Sequence, residues 1–165
     1  MKIVDIETVS VGAGWKNWLF VQVRTDEGLV GLGEGTLNGF IRTTEAADRE
    51  LAHLAIGQDP RRVREVARSL LDRVSLDGGH IHRTAIAAIE VACWDILGRR
   101  TGMPLYALLG GLRTERFPLY VAVPLAPVDE MARFVEERMA GGVRHFQLKL
   151  GADPHEDAAR VAAVA

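Results

Sequence analysis

The amino-acid sequence predicts an α+β region built on a three-stranded antiparallel meander, followed by the start of a parallel (β/α) barrel. Two observations support this order. Residues 1–35 alternate polar and apolar side chains around hairpin signals, whereas residues 116–165 alternate strand-like and helix-like segments. A third observation is an isolated lysine, Lys149, near the C-terminal end of a strand-like segment. We therefore predict two domains, 1–115 and 116–165.

The meander is predicted from three short segments near the N-terminus. Residues 2–11 and 18–25 have the alternation of antiparallel strands, and Asp26-Glu27-Gly28 is a hairpin signal that leads into a third strand over 29–35. Glycines in that third strand permit close approach of another backbone. The side chains expected on one face of the first strand are Ile3, Asp5, Glu7 and Val9.

Helical patterns follow the meander. The first helix begins at an N-cap, either Thr43 or Thr44, and ends at Gly57. The second uses Asp59 as its N-cap, with proline at the first helical position, and runs to about Arg73.

The third helix, predicted over 84–101, has apolar residues on two stripes and is therefore expected to be buried on most sides. Cys93 lies within it and is interpreted as a small buried hydrophobe rather than a nucleophile. His80 and His82 precede it, but a pair without a third ligand nearby favours a helix-entry role over a metal site. The alanines expected to allow close approach of a neighbouring element are Ala85, Ala88 and Ala92.

The C-terminal part reads as strand, helix and strand over 117–125, 128–140 and 143–151, with a second helix over 156–165. Along the second strand, Gln147 and Lys149 share one face with His145, and the apolar side chains point the other way. Active sites of closed parallel barrels lie at the C-terminal ends of the strands. Lys149 is therefore the candidate catalytic residue.

The loop over residues 12–17 joins the first two strands and combines two glycines with Trp15 and Lys16. A flexible loop that carries an indole and an amine is suited to covering and contacting a substrate. The alternative interpretation is a solvent-exposed hairpin loop without a binding role.

Composition excludes several classes of function. The chain is 48% hydrophobic and 25% charged with a net charge of −2, which disfavours a nucleic-acid partner. Its apolar runs are far shorter than a membrane span, and Met1-Lys2 leads directly into a strand rather than a signal peptide. We expect a cytoplasmic protein without a membrane partner.

Four segments, in order along the chain, resemble the enolase superfamily, specifically its mandelate racemase and muconate lactonizing enzyme branch. The Trp-Asp helix and the Leu-Leu-Gly-Gly turn after it are the more specific of them. The segments are TDEGLVGLGE (25–34), AIAAIEVACWDILG (85–98), GMPLYALLGG (102–111) and FQLKLG (146–151).

The resemblance implies an N-terminal capping domain that closes over a modified TIM barrel. It also implies a divalent metal, usually Mg²⁺, that stabilises an enolate formed from a carboxylate substrate. The family's second barrel strand carries Lys-x-Lys, whose second lysine is the base; this sequence matches at Lys149 and has Gln147 in place of the first lysine. The expected substrate-binding residues are Trp15, Lys16 and Gln147.

The resemblance leaves the substrate open between two types. Glutamine at position 147 resembles branches that act on hydroxyproline or proline-betaine substrates, whereas residues 17–20 and 33–37 look more like sugar-acid dehydratases. We therefore expect a racemase, epimerase or dehydratase of a hydroxy acid, sugar acid or amino-acid derivative. A small-molecule carboxylate and further copies of the chain are the expected partners.

The resemblance places the family's metal-binding carboxylates on the third, fourth and fifth barrel strands, and only two barrel strands are predicted here. No residue of this sequence is therefore assigned as a metal ligand, and we expect the sequence to be the N-terminal part of a longer enzyme, inactive alone. The alternative is a non-catalytic capping-domain module that acts in oligomerisation.

Overall fold

The computed structural model describes residues 1–74, 78–151 and 153–164. Ala165, the predicted end of the last helix, lies outside these residues. Within them, none of the helices is both long enough and apolar enough to cross a bilayer. The elements in chain order are β1 (Ile3–Gly12), β2 (Asn17–Thr25), β3 (Val30–Glu34), α1 (Ile41–Ala55), α2 (Val63–Arg73), α3 (His80–Thr101), α4 (Leu105–Leu108), β4 (Val121–Val123), α5 (Val128–Ala140), β5 (Phe146–Leu148) and α6 (Pro154–Val164).

The chain forms two compact units, Met1–Leu112 and Arg113–Ala165. The first contains the antiparallel sheet β1-β2-β3 with helices α1 to α4, and the second contains the parallel pair β4-β5 with α5 and α6. The domain boundary predicted between residues 115 and 116 stays a prediction.

The sheet of the first unit is the predicted meander, but its first strand departs from simple alternation. Ile3 pairs with Thr25 and Asp5 pairs with Arg24, so the register shifts between Ile3 and Asp5. An extra residue in one strand moves all later side chains to the opposite face. Ile3 is consequently buried in the core, whereas Asp5 lies beside the half-buried Arg24, with Oδ2 3.8 Å from Arg24 Nε. The prediction that Ile3, Asp5, Glu7 and Val9 share one face was wrong at this bulge.

Helix α3 packs directly on strand β3 because the residues at the contact are small. A Cβ atom built on Gly31 would collide with the carbonyl oxygen of Ala92, and one on Gly33 would collide with that of Ala88. Backbone atoms cannot rotate away as a side chain can, so only glycine fits these two positions. The close approach predicted from the glycines and the alanines is confirmed.

The Trp-Asp pair of α3 has a structural role at the same contact. Asp95 Oδ2 accepts hydrogen bonds from the backbone N–H of Leu32 at 2.9 Å and from Arg99 Nε at 3.0 Å. Trp94 is half-buried and packs against the main core. A side-chain acceptor on α3 thus satisfies a backbone donor of edge strand β3, which joins helix and sheet by a polar contact as well as by packing.

Gly33→Ala is expected to lower the free energy of unfolding by about 2–3 kcal/mol, because the added methyl must displace the backbone of α3. Chemical denaturation of the natural full-length polypeptide that carries this sequence measures the change. Gly12→Ala is the matched control, since a Cβ there would lie 3.7 Å from Asn17 Oδ1 at ordinary contact distance. Equal stability of the two variants would contradict the packing described for β3 and α3.

Helix α1 begins earlier than predicted. It starts at Ile41, its N-cap residue is Phe40, and no side chain caps it. Thr44 is fully buried and its hydroxyl donates to the Phe40 carbonyl at 3.0 Å, so it lies inside the helix. The predicted N-cap at Thr43 or Thr44 was therefore wrong, because a threonine hydroxyl can bond back to the preceding turn as readily as it can cap.

Helix α2 begins later than predicted, at Val63. Asp59 Oδ1 accepts the backbone N–H of Arg61 at 3.0 Å, which forms a local turn ahead of the helix. The assignment of Asp59 as N-cap was wrong, since the same side chain stabilises turns and helix starts alike.

Helix α3 starts at His80 rather than at the predicted residue 84, so both histidines lie in its first turn and their helix-entry role is confirmed. Cys93 is fully buried, as predicted. Its burial, and to a smaller extent the charge of nearby Glu90, raises the pKa of its thiol to about 12. A thiol of that kind is not a nucleophile near neutral pH.

The second unit has its own small core. Val123, Met131 and Val135 are buried there, with Phe146 and Leu148 packed against them. Helix α5 has the predicted bounds, whereas β4 and β5 are each limited to the three residues that pair. The strands are shorter than the apolar pattern suggested, because a strand extends only as far as its hydrogen-bonded ladder.

Candidate active site

The candidate catalytic lysine follows directly after strand β5. Val123 pairs with Leu148 in the parallel ladder, so the carboxyl ends of β4 and β5 lie side by side. Leu148 packs toward the core while Gln147 and Lys149 are exposed. The predicted division into an apolar and a polar face is confirmed for Phe146 and Leu148, which pack against the core, whereas Leu150, predicted on the apolar face, is 47% exposed.

Gln147 and Lys149 are in direct contact. Lys149 Nζ donates a hydrogen bond to Gln147 Oε1 at 3.2 Å, as expected for polar side chains two residues apart on an extended chain. The amide oxygen of Gln147 is therefore a hydrogen-bond acceptor for the lysine amine. This hydrogen bond places the lysine nitrogen on the polar face of β5.

The other two candidate residues lie in the first unit, in the tight turn between β1 and β2. Lys16 Nζ lies 3.6 Å from the ring centroid of Trp18 and 4.8 Å from that of Trp15. An ammonium above indole faces is attracted by the ring electrons. Trp15 keeps 80% of its surface exposed, so most of its indole is available for contact with another molecule.

A groove beside this turn brings Trp15 and Lys16 together with the segment that leads into α1. It encloses about 620 Å³ and contains two cationic side chains, Lys16 and Arg42. Among its described lining residues there is no carboxylate, so the groove is suited to a small anion that also carries hydroxyl groups. The lining residues are Trp15, Lys16, Asn17, Asn38, Gly39, Phe40, Ile41, Arg42 and Thr43.

The sequence did not point to Trp18 or to the groove residues after β3. Trp18 could have been found from its spacing, because residues 16 and 18 lie on one face of an extended segment. Phe40 and Arg42 carry no such signal, since only the tertiary packing of the segment before α1 brings them to the turn.

The described residues do not form a magnesium site of their own. Nowhere in residues 1–74, 78–151 and 153–164 do three or more His, Cys, Asp or Glu side chains gather in a group able to hold a metal ion. Magnesium takes oxygen ligands in an octahedral arrangement, usually with several waters and one or two carboxylates. The described residues therefore do not fit the implied metal without further ligands.

Comparison with curated proteins finds relatives that are named D-galactonate dehydratase. The chain is 41% identical over 148 residues to a D-galactonate dehydratase from Ralstonia nicotianae, a match that covers 90% of this chain. The chain spans only 38% of the length of that relative.

Comparison with solved structures extends the likeness to the whole fold. An N-succinyl Arg/Lys racemase from Bacillus cereus superposes with a TM-score of 0.89 at 27% identity, over 99% of this chain and 48% of its own. A candidate mandelate racemase/muconate lactonizing enzyme from Roseovarius nubinhibens, solved in complex with magnesium, superposes with a TM-score of 0.83 at 30% identity, over the same shares of the two chains.

These matches confirm the predicted fold class, an α+β capping domain followed by the first two strand-helix units of a modified (β/α) barrel. The family model described as "Mandelate racemase / muconate lactonizing enzyme, N-terminal domain" matches residues 5–110. The chain therefore belongs to the mandelate racemase/muconate lactonizing enzyme family of the enolase superfamily.

Proposed function

We propose that this chain is part of an enzyme that removes the proton on the carbon next to a substrate carboxylate, with Lys149 as a base. The observation that carries the proposal is the position of Lys149, immediately after a parallel strand and in contact with Gln147 at 3.2 Å. Catalytic groups of parallel (β/α) folds lie at this end of the strands.

The proposed reaction places specific demands on each group. A neutral lysine amine accepts the α-proton, and the electron pair of the broken C–H bond moves into the carboxylate to give an enolate with two negative oxygens. A positioned base of this kind typically contributes about 10²–10⁴-fold to the rate. We propose that Mg²⁺ offsets the enolate charge when it is bound, with ligands that are not among the described residues.

A sugar acid is the proposed substrate class. The relative from Ralstonia nicotianae is named D-galactonate dehydratase, and the groove beside Trp15 supplies cations and amides without a described carboxylate. Amides and ammonium groups are suited to hydroxyl groups and to a carboxylate. An α-proton loss followed by departure of the neighbouring hydroxide gives a 2-keto-3-deoxy acid after the enol rearranges, with overall loss of one water.

The proposal is tested with the natural polypeptide, Mg²⁺ and D₂O. D-galactonate, its C2 epimer D-talonate and cis-3-hydroxy-L-proline are incubated separately, and α-deuterium incorporation is followed by NMR together with keto-acid formation. We expect exchange or dehydration with at least one sugar acid, and its loss on addition of a chelator. Absence of both reactions with every compound would overturn the proposed activity and favour the second candidate.

That second candidate is a non-catalytic capping-domain module. It is favoured by the first unit, which is compact and has a hydrophobic core of its own formed by the sheet and helices α1 to α3. The intact mass of the natural polypeptide separates the two candidates, because a mass near 18.0 kDa leaves room for no further barrel strands. Cytoplasmic location and homo-oligomeric assembly stay predictions from the sequence.

Trp15→Ala is expected to raise KM for the sugar-acid substrate by about 10-fold, because an exposed indole contributes binding area rather than core packing. The melting temperature should change by less than that of a core variant, since Trp15 is 80% exposed. Tyr106→Ala provides the control, as an exposed aromatic of the same unit outside the groove. Unfolding of Trp15→Ala with unchanged kinetics per folded molecule would contradict a substrate contact.

A further inference from the structure

The backbone directly after Lys149 is held by a side chain of α6. The N–H of Gly151 donates to Asp157 Oδ2 at 2.8 Å, and Gly151 has a φ of +119°, a conformation that other residues rarely adopt. A carboxylate that accepts a backbone N–H forms one of the stronger hydrogen bonds in proteins. Asp157 thereby fixes the direction in which the chain leaves Lys149.

Asp157 is fixed in turn by a buried arginine. Arg160 is only 8% exposed, and its Nη1 donates to Asp157 Oδ1 at 2.9 Å. Its Nη2 donates to Glu156 Oε2 at 2.9 Å, on the solvent side. Burial of a guanidinium is costly unless its donors are paired, and the acceptor that is shielded from solvent is Asp157, at 17% exposed, whereas Glu156 is 62% exposed.

The third donor of Arg160 reaches the connection that follows strand β4. Nε donates to the carbonyl oxygen of Ala126 at 3.2 Å, and Ala126 lies in the connection between β4 and α5. One chain of hydrogen bonds therefore runs from Gly151 through Asp157 and Arg160 to Ala126. It connects the chain segments that follow the carboxyl ends of β5 and β4, the two strands whose ends lie beside each other near Lys149.

We infer that Asp157 and Arg160 are positioning residues for Lys149, an inference that rests on the proposed function. They do not touch the substrate; they hold the chain at Gly151 and so set where the lysine amine stands. Misplacement of a reacting group by about 1 Å can cost about 10²-fold in rate, so a support of this kind acts on the chemical step.

The test compares three variants of the natural polypeptide, each corrected for its folded fraction by circular dichroism. Asp157→Ala removes the acceptors of both Gly151 and Arg160, Asp157→Asn keeps one acceptor oxygen, and Glu156→Gln weakens only the solvent-side pair of Arg160. The readout is α-deuterium exchange in D₂O with Mg²⁺, followed separately for D-galactonate and D-talonate.

Asp157→Ala is expected to lower kcat for exchange about 10²-fold for one isomer, namely the isomer whose exchange is lost in Lys149→Met. The change in kcat for the other isomer and the change in KM should both be smaller. Asp157→Asn should lose less, and Glu156→Gln should match the wild type. An equal loss for both isomers, or equal rates for Asp157→Ala and Glu156→Gln, would overturn the inference. If Lys149→Met has no effect on exchange of either isomer, the proposed function itself is contradicted. A failure of the proposed function is therefore distinguished from a failure of the inference about Asp157 and Arg160.

Discussion

Lys149→Met is expected to lower the rate of α-proton exchange for one substrate isomer about 10²–10⁴-fold, the usual loss when a positioned base is removed. Methionine keeps the unbranched apolar stem and removes only the group that accepts the proton. Folding should be little affected, because Lys149 is exposed and its contact is with the exposed Gln147. Deuterium incorporation in the natural polypeptide with Mg²⁺, followed separately for each isomer, measures the change.

The isomer dependence makes this prediction specific. In an enzyme with a base on each side of the substrate, exchange of the opposite isomer persists through the second base. Lys2→Met removes an exposed lysine from another part of the chain and is expected to leave both rates unchanged. Unimpaired exchange of both isomers in Lys149→Met would remove this residue from the mechanism.

Asp48→Asn is expected to gain about 4 kcal/mol of stability relative to wild type between pH 4 and pH 8. Asp48 is completely buried in α1, and neither carboxylate oxygen has a hydrogen-bond partner among the described residues. Burial, and to a smaller extent the charge of Glu45 one turn away, raises the pKa of this carboxyl from 3.8 to about 7.

The direction of the pH dependence follows from that shift. The folded state binds the proton more tightly than the unfolded state, so the stability that the protonated form provides is fully present below pH 3.8. It is lost as the pH rises to about 7, where the folded protein must either ionise Asp48 in its interior or take up a proton. Asparagine has nearly the same shape and cannot ionise, so its advantage grows over this range.

Urea denaturation of Asp48→Asn and wild type between pH 4 and pH 8 tests the expectation. Asp72→Asn serves as the control, because Asp72 is 65% exposed in its pair with Arg68, so this variant removes an acidic side chain without removing a buried one. A stability difference between Asp48→Asn and wild type that does not change with pH would mean that folding does not raise the pKa of Asp48.

Local signals in the sequence were sufficient for the elements whose ends depend on neighbouring residues. Helix α5 begins after Pro127 and ends at Gly141 as predicted, and α3 ends at Gly102 with the left-handed backbone that glycine provides. The polar face that carries Lys149 also followed from alternation alone. These features depend on residues within one or two turns of each other.

Features that depend on distant residues were missed. The bulge after Ile3 is set by the connection that follows α1, where Gln58 O accepts the Ile3 N–H at 2.9 Å. Arg42 reaches the groove only because the segment before α1 packs beside the first turn, and the Asp157–Arg160 support needs β4 and α6 to be adjacent. No local pattern encodes such neighbours.

The hydrogen bond between Leu32 and Asp95 has a consequence for synthesis on the ribosome. The two residues are 63 positions apart, so at about 5–20 residues per second Asp95 is added roughly 3–13 s after Leu32. During that interval β3 can pair with β2 through backbone hydrogen bonds, but the two glycines on its inner face carry no side chain that could be buried. The outer edge of β3 in the nascent sheet therefore stays uncovered until helix α3 has been translated.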